Sequence, residues 1–113
     1  MELQYSEIEK NIKLLRLIGR LDILGVGAIE TEFSEYCSGE NLRIIVDLSG
    51  IDFLASIGIR LLTRNAKSVA SRNGRMVLLN PKPDVREVLE ITGISAFIPI
   101  HDGLEAARAA LVG

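Results

Sequence analysis

The sequence holds one cysteine and one histidine, and each scarcity removes a class of function. With a single thiol, Cys37, the chain cannot close an internal disulfide, and Cys37 alone cannot supply a thiolate metal site. A reducing compartment suits such a chain, so a cytoplasmic location is expected. The lone imidazole, His101, has no partner histidine for acid–base work, and neither catalytic residues nor a metal are expected. Long apolar runs are also missing: Arg16, Asp47 and Arg60 break them, well short of the roughly 20 residues that cross a bilayer. The opening MELQYSEIEK mixes charged and apolar residues where an export signal needs a basic start and then an apolar run. Nor does one charge sign dominate. Thirteen basic residues against fifteen acidic ones leave −2, too weak a field to gather phosphate backbones or anionic lipid, so no direct nucleic-acid partner is expected.

What is present fits one folded domain over residues 1–113, with 48% hydrophobic and 25% charged residues. Ile12 to Gly19 reads as a strand turned away by Arg20-Leu21-Asp22, and Tyr5 to Glu9 as a short partner strand joined to it through Lys10-Asn11. Gly25 to Tyr36 spaces Val26, Ile29, Phe33 and Tyr36 at three and four residues and predicts an amphipathic helix. Arg43 to Leu48 is apolar without alternation, as a central strand covered on both faces would be. A helix over Ser56 to Asn73 presents Gly58, Leu61, Leu62, Ala66, Val69 and Ala70 on one face and stops at Gly74, read as a left-handed cap. Then come a strand at Arg75 to Leu79, a helix from Pro83 to Thr92 closed by Gly93, a strand at Ala96 to Ile100 and a helix at Gly103 to Val112. This order predicts a single α/β domain, a mixed but mostly parallel sheet of about five strands with about four helices.

Few residues invite a chemical role. Gly25 and Gly27 in LGVGAIE follow a strand, but Glu30 stands where a dinucleotide fingerprint needs a third glycine, and no Gly-Lys-Ser/Thr occurs. No cofactor is expected. His101 reads as a loop residue beside Asp102, and Cys37 as a small end-of-helix residue. The stretch Val46 to Ile59 is more informative: a buried strand ends at Asp47, a tight turn follows, and Ser56 arrives at the start of a helix. There its hydroxyl can cap free N–H groups, and an added phosphate would meet the positive end of the helix dipole.

The chain resembles the STAS domain family, specifically the stand-alone bacterial anti-sigma factor antagonists. The resemblance rests on Gly19-Arg20-Leu21-Asp22, on VDLSGIDF followed by Ala55-Ser56-Ile57-Gly58 and IRLL, and on Gly74 before RMVLLN. Pro81 to Leu89, ITGI at Ile91 to Ile94 and the closing EAARAAL continue the pattern in order. The resemblance implies a non-enzymatic regulator that binds an anti-sigma factor with serine-kinase activity, is phosphorylated at Ser56, and is reset by a serine phosphatase. It also implies partner contacts at Asp22, Phe53, Leu54, Ala55, Ile57, Gly58, Arg60 and Arg64, with Ile57, Arg60 and Arg64 on one outward face of the helix. Ala55 and Ile57 replace an aspartate and a serine of the family's D-S-S-G segment, and Arg60 replaces a small residue. Ala55 and Ile57 favour an alternative, a STAS subunit of a stress-signalling assembly or lipid-transport machine in which Ser56 is not phosphorylated. A small nucleotide-binding protein is the reading from a different class.

Overall fold

The computed structural model describes residues 1–112. Strands β1 (Glu2–Glu9) and β2 (Ile12–Leu21) precede helix α1 (Ile23–Tyr36) and strand β3 (Arg43–Leu54). Helix α2 (Ser56–Ser71), strand β4 (Arg75–Leu79), helix α3 (Pro83–Ile91), a 3-10 turn (Ile94–Ala96), strand β5 (Ile100–His101) and helix α4 (Leu104–Val112) complete the order. The five strands form one sheet in sequence order, β1 antiparallel to β2 and every later neighbour parallel. The α/β domain expected from the sequence is the one observed.

Asn11, at φ +68°, takes the left-handed position that closes the β1–β2 hairpin, a conformation its short polar side chain tolerates. Ile44, Ile45 and Val46 of β3 are fully buried, which explains their unbroken apolar run: successive side chains enter cores on opposite faces. On one face α1, α2 and α3 close over Leu15, Leu17, Ile44, Val46 and Leu48. On the other, α4 alone sets Ala107 and Leu111 against Ile12, Ile45, Val77 and Leu79. Phe33 anchors α1 with no exposed surface, and truncating it to Ala would cost about 3–5 kcal/mol.

Four expectations are corrected. β3 does not end at Asp47 but runs to Leu54, and Ser49-Gly50 lies inside it. Opposite β2 the register slips twice, between Arg16 and Ile18 and between Gly19 and Arg20, so β3 carries an extra residue at each point. Asp47 steadies the first bulge by accepting the Ser49 N–H at 2.9 Å. β2 likewise continues through Arg20 and Leu21. At the end of α2 it is Asn73, φ +64°, that adopts the left-handed conformation. Gly74 follows it, donating to the Val69 carbonyl at 2.9 Å, and a Cβ there would stand 2.4 Å from the Leu42 carbonyl oxygen. Finally, the strand expected at Ala96 to Ile100 is mostly a turn. Pro99 has no N–H to donate, and pairing is confined to Ile100 and His101 opposite Leu78 and Leu79.

Candidate functional site

Strands β2 and β3 end side by side, Leu21 opposite Leu54, and each feeds directly into a helix. The Ala55 N–H donates to the Leu21 carbonyl at 3.1 Å and ties the two exits together. This places Asp22 at the start of α1 and Ser56 at the start of α2 on one edge of the sheet.

Asp22 is the N-cap of α1: its carboxylate accepts the Gly25 N–H at 2.9 Å and lies 3.3 Å from the Arg20 guanidinium. The Gly25 bond first, and then Arg20, holds its pKa below the ordinary carboxylate value. Two chain segments touch here, and Gly25 makes that possible; a Cβ would sit 1.9 Å from the Arg20 carbonyl oxygen. Both glycines of LGVGAIE are therefore residues of α1, Gly25 packed against a strand and Gly27 exposed, with no phosphate-cradling loop before them.

α2 begins without such a cap. Ala55 occupies the N-cap with extended backbone and no side-chain bond. Its carbonyl instead accepts from both Gly58 (2.9 Å) and Ile59 (3.2 Å). Ser56 is thus the first helical residue and not the cap, and it is exposed. Behind it the third residue, Gly58, is buried against Leu21 and Leu54, where a Cβ would come within 2.8 Å of both.

The residues expected to contact a partner divide accordingly. Phe53, Ser56, Arg60 and Arg64 are exposed, and Asp22, Ala55 and Ile57 half-buried. Leu54 and Gly58 lie in the interior, beneath this surface. Ile57 packs on the rim of the core, so the outward groove along α2, about 400 Å³, is lined by Ser56, Ile59, Arg60, Thr63, Arg64 and Lys67 instead. Arg64 pairs with Glu30 of α1 at 3.7 Å.

Sequence reasoning passed over the most exposed apolar residues of this edge. Ile23 is 73% and Leu24 84% exposed. The signal was available: Leu24 falls on the side of the helix opposite the Val26, Ile29 and Phe33 stripe. Arg20 was also overlooked. Its guanidinium lies 4.4 Å above the Phe53 ring, an arrangement the second bulge permits by turning Phe53 outward. Lys82 meets Asp52 beside it, and that bond above all lowers the Asp52 pKa.

Elsewhere the polar groups are structural. Burial pushes the Cys37 thiol up to about 12, leaving it protonated and inert at neutral pH. His101 does not bond Asp102, which pairs with Arg86 at 2.8 Å, and its Nε2 is buried without a partner. Among the described residues no group of His, Cys, Asp or Glu gathers as metal ligands, and no helix is long and apolar enough to cross a membrane.

Comparison with known proteins fits this geometry. The family model of the STAS domain matches residues 5–107. The chain belongs to the STAS domain family. BtrV of Bordetella bronchiseptica is 35% identical over 82 residues, 73% of this chain and 71% of BtrV. An anti-sigma F factor antagonist of Lysinibacillus sphaericus is 29% identical over 99 residues, 87% of this chain and 85% of the relative. The solved structure of the anti-sigma factor antagonist SpoIIAA in its unphosphorylated form matches with a TM-score of 0.77 and 25% identity, covering 98% and 96% of the two chains. Within the STAS family the chain thus falls among the small anti-sigma factor antagonists, which are regulators without enzymatic activity.

Proposed function

We propose that this STAS protein is a partner-switching regulator acting in the cytoplasm. In its unmodified form it docks on an anti-sigma factor that is also a serine kinase, and phosphorylation of Ser56 releases it until a serine phosphatase resets it. The observation that carries this reading is the uncapped start of α2, with its exposed Ser56 on the edge that also displays Ile23, Leu24 and Phe53. Exposed apolar side chains clustered beside polar groups suit a protein interface. SpoIIAA has been solved in a phosphorylated as well as an unphosphorylated form, which supports a phosphate switch in a relative.

Charge supplies the mechanism. A phosphoserine carries about −1.5 to −2 charges, and a helix N-terminus tolerates that within the fold. Burying the same charge against a surface shaped for a hydroxyl is costly, and a loss of ~4 kcal/mol weakens binding about a thousandfold. The test is affinity capture from source-cell lysate with wild type, Ser56→Ala and Ser56→Asp as baits. A kinase-type anti-sigma factor held by the first two and lost from the third is the expected result. Ala55 and Ile57 favour a second reading, a subunit of another STAS assembly with a structural Ser56; under it, all three baits retain the same partners.

A further inference from the structure

Most cations around the start of α2 are engaged. Arg20 lies beside Asp22 and over the Phe53 ring, and Lys82 meets Asp52. Arg64 pairs with Glu30 of α1 at 3.7 Å, and Lys67 stands 5.9 Å from the centre of the Phe97 ring. Arg60 is different: it is exposed and has no hydrogen-bond or ion-pair partner among the described residues. Its place on the helix directs it towards Ser56. Residues four apart are surface neighbours, with Cβ atoms about 5–6 Å apart. Helical side chains lean towards the N-terminus, so the long side chain of Arg60 falls back over the turn that Ser56 heads. Ser56 and Arg60 accordingly line the same groove. No carboxylate competes for the guanidinium from its own helix, because α2 contains no acidic residue and Ala55 ahead of it offers none.

We propose that Arg60 is the partner of the phosphate within the chain itself: once Ser56 is phosphorylated, the guanidinium closes on the phosphate oxygens. This rests on the phosphorylation of Ser56 proposed above and adds a second half to that switch. A serine hydroxyl offers a cation little, whereas a phosphate brings about −1.5 to −2 charges and three strong acceptor oxygens. A guanidinium matches them with two parallel donors, and an acidic group four residues ahead of a basic one is the favourable order on a helix. Phosphorylation then alters the surface in two places. Ser56 gains negative charge, and Arg60, free in the unmodified chain, is withdrawn from the outward face of α2. Arg64 cannot take this role in its place, since it stands eight residues and roughly 12 Å of helix away from Ser56 and is already paired with Glu30.

The test is a phosphorus NMR titration of the folded whole chain with phosphoserine installed at position 56 during synthesis, alone and combined with Arg60→Gln, Arg60→Lys or Arg64→Gln. The second proton of a phosphoserine leaves near pH ~6, and a cation held on the phosphate favours the dianion and lowers that value. Arg60→Gln is expected to weaken the preference for the dianion about two- to fivefold, the range of exposed ion pairs, which raises the phosphate pKa by about 0.3–0.7. Arg64→Gln removes the same charge from beyond a Debye length and is expected to leave the value nearly unchanged at physiological salt. Arg60→Lys keeps the charge without the paired donors, and stands in for Arg60→Gln should that variant unfold by circular dichroism. The titration needs neither kinase nor partner. Its failure therefore leaves the loss of the anti-sigma factor on phosphorylation to be judged by lysate capture, and a failed capture leaves the pairing to be judged here. A phosphate pKa that does not move in Arg60→Gln, or that rises equally in Arg60→Gln and Arg64→Gln, would overturn the proposal.

Discussion

The starts of α1 and α2 correspond position by position. Asp22 and Ala55 are the N-caps, Ile23 and Ser56 the first helical residues, and Gly25 and Gly58 the third. Both third positions are glycine for the same reason, because a strand passes too close for a Cβ. The caps differ. Asp22 closes its helix with a carboxylate on the Gly25 N–H, whereas Ala55 offers only its carbonyl oxygen and leaves the end of α2 free of any side-chain acceptor. One helix start is completed internally. The other keeps its hydroxyl and the end of its helix free of any side-chain acceptor, and the proposed switch at Ser56 rests on that contrast.

The largest expected effect breaks the open start. Ser56→Asp should weaken the anti-sigma partner about a thousandfold in a binding titration while leaving the circular dichroism unchanged. An unfolded variant would remove the argument that the charge acts at the interface. Next come the two glycines. Gly25→Ala meets backbone at 1.9 Å and Gly58→Ala meets Leu21 and Leu54 at 2.8 Å. Overpacking typically costs about 1–3 kcal/mol, and denaturant melts should show Gly25→Ala as the worse of the pair. A smaller change would erase the contrast. Ala55→Ser adds the missing cap in a backbone already extended, and should raise stability by about 0.5–2 kcal/mol in the same melts.

The smallest effect concerns pH. Because folding lowers the Asp22 pKa below its ordinary 3.8, its contribution is present above that value and fades as pH falls through the lower folded one. Asp22→Asn should therefore flatten the acid limb of the melting profile and leave partner binding near its wild-type value. An Asp22→Asn protein that melts normally but no longer binds would show that this carboxylate serves the interface as well as the helix.

Much of this contrast was legible in the sequence. The element order, the buried run of β3 and the position of Ser56 follow from apolar spacing and from the caps and breakers between them. What escaped has identifiable causes. Ser49-Gly50 uses turn chemistry inside a strand, because a bulge and a turn both require a residue the ladder can spare. Asn73 and Gly74 share a helix end between them, one taking the left-handed conformation and the other the close approach to Leu42, and composition alone assigns both to the glycine. Ile23 and Leu24 escaped because the apolar spacing starts the helix at Gly25, whereas the Asp22 cap starts it two residues earlier and brings both side chains onto its first turn.

The most direct test of the account is a calorimetric titration of a purified kinase-type anti-sigma factor with the unmodified chain and with the chain carrying phosphoserine at position 56. The account predicts tight binding by the first and at least a hundredfold loss, about 2.7 kcal/mol, in the second. Equal affinities would contradict it, and would make the open start of α2 a structural accident.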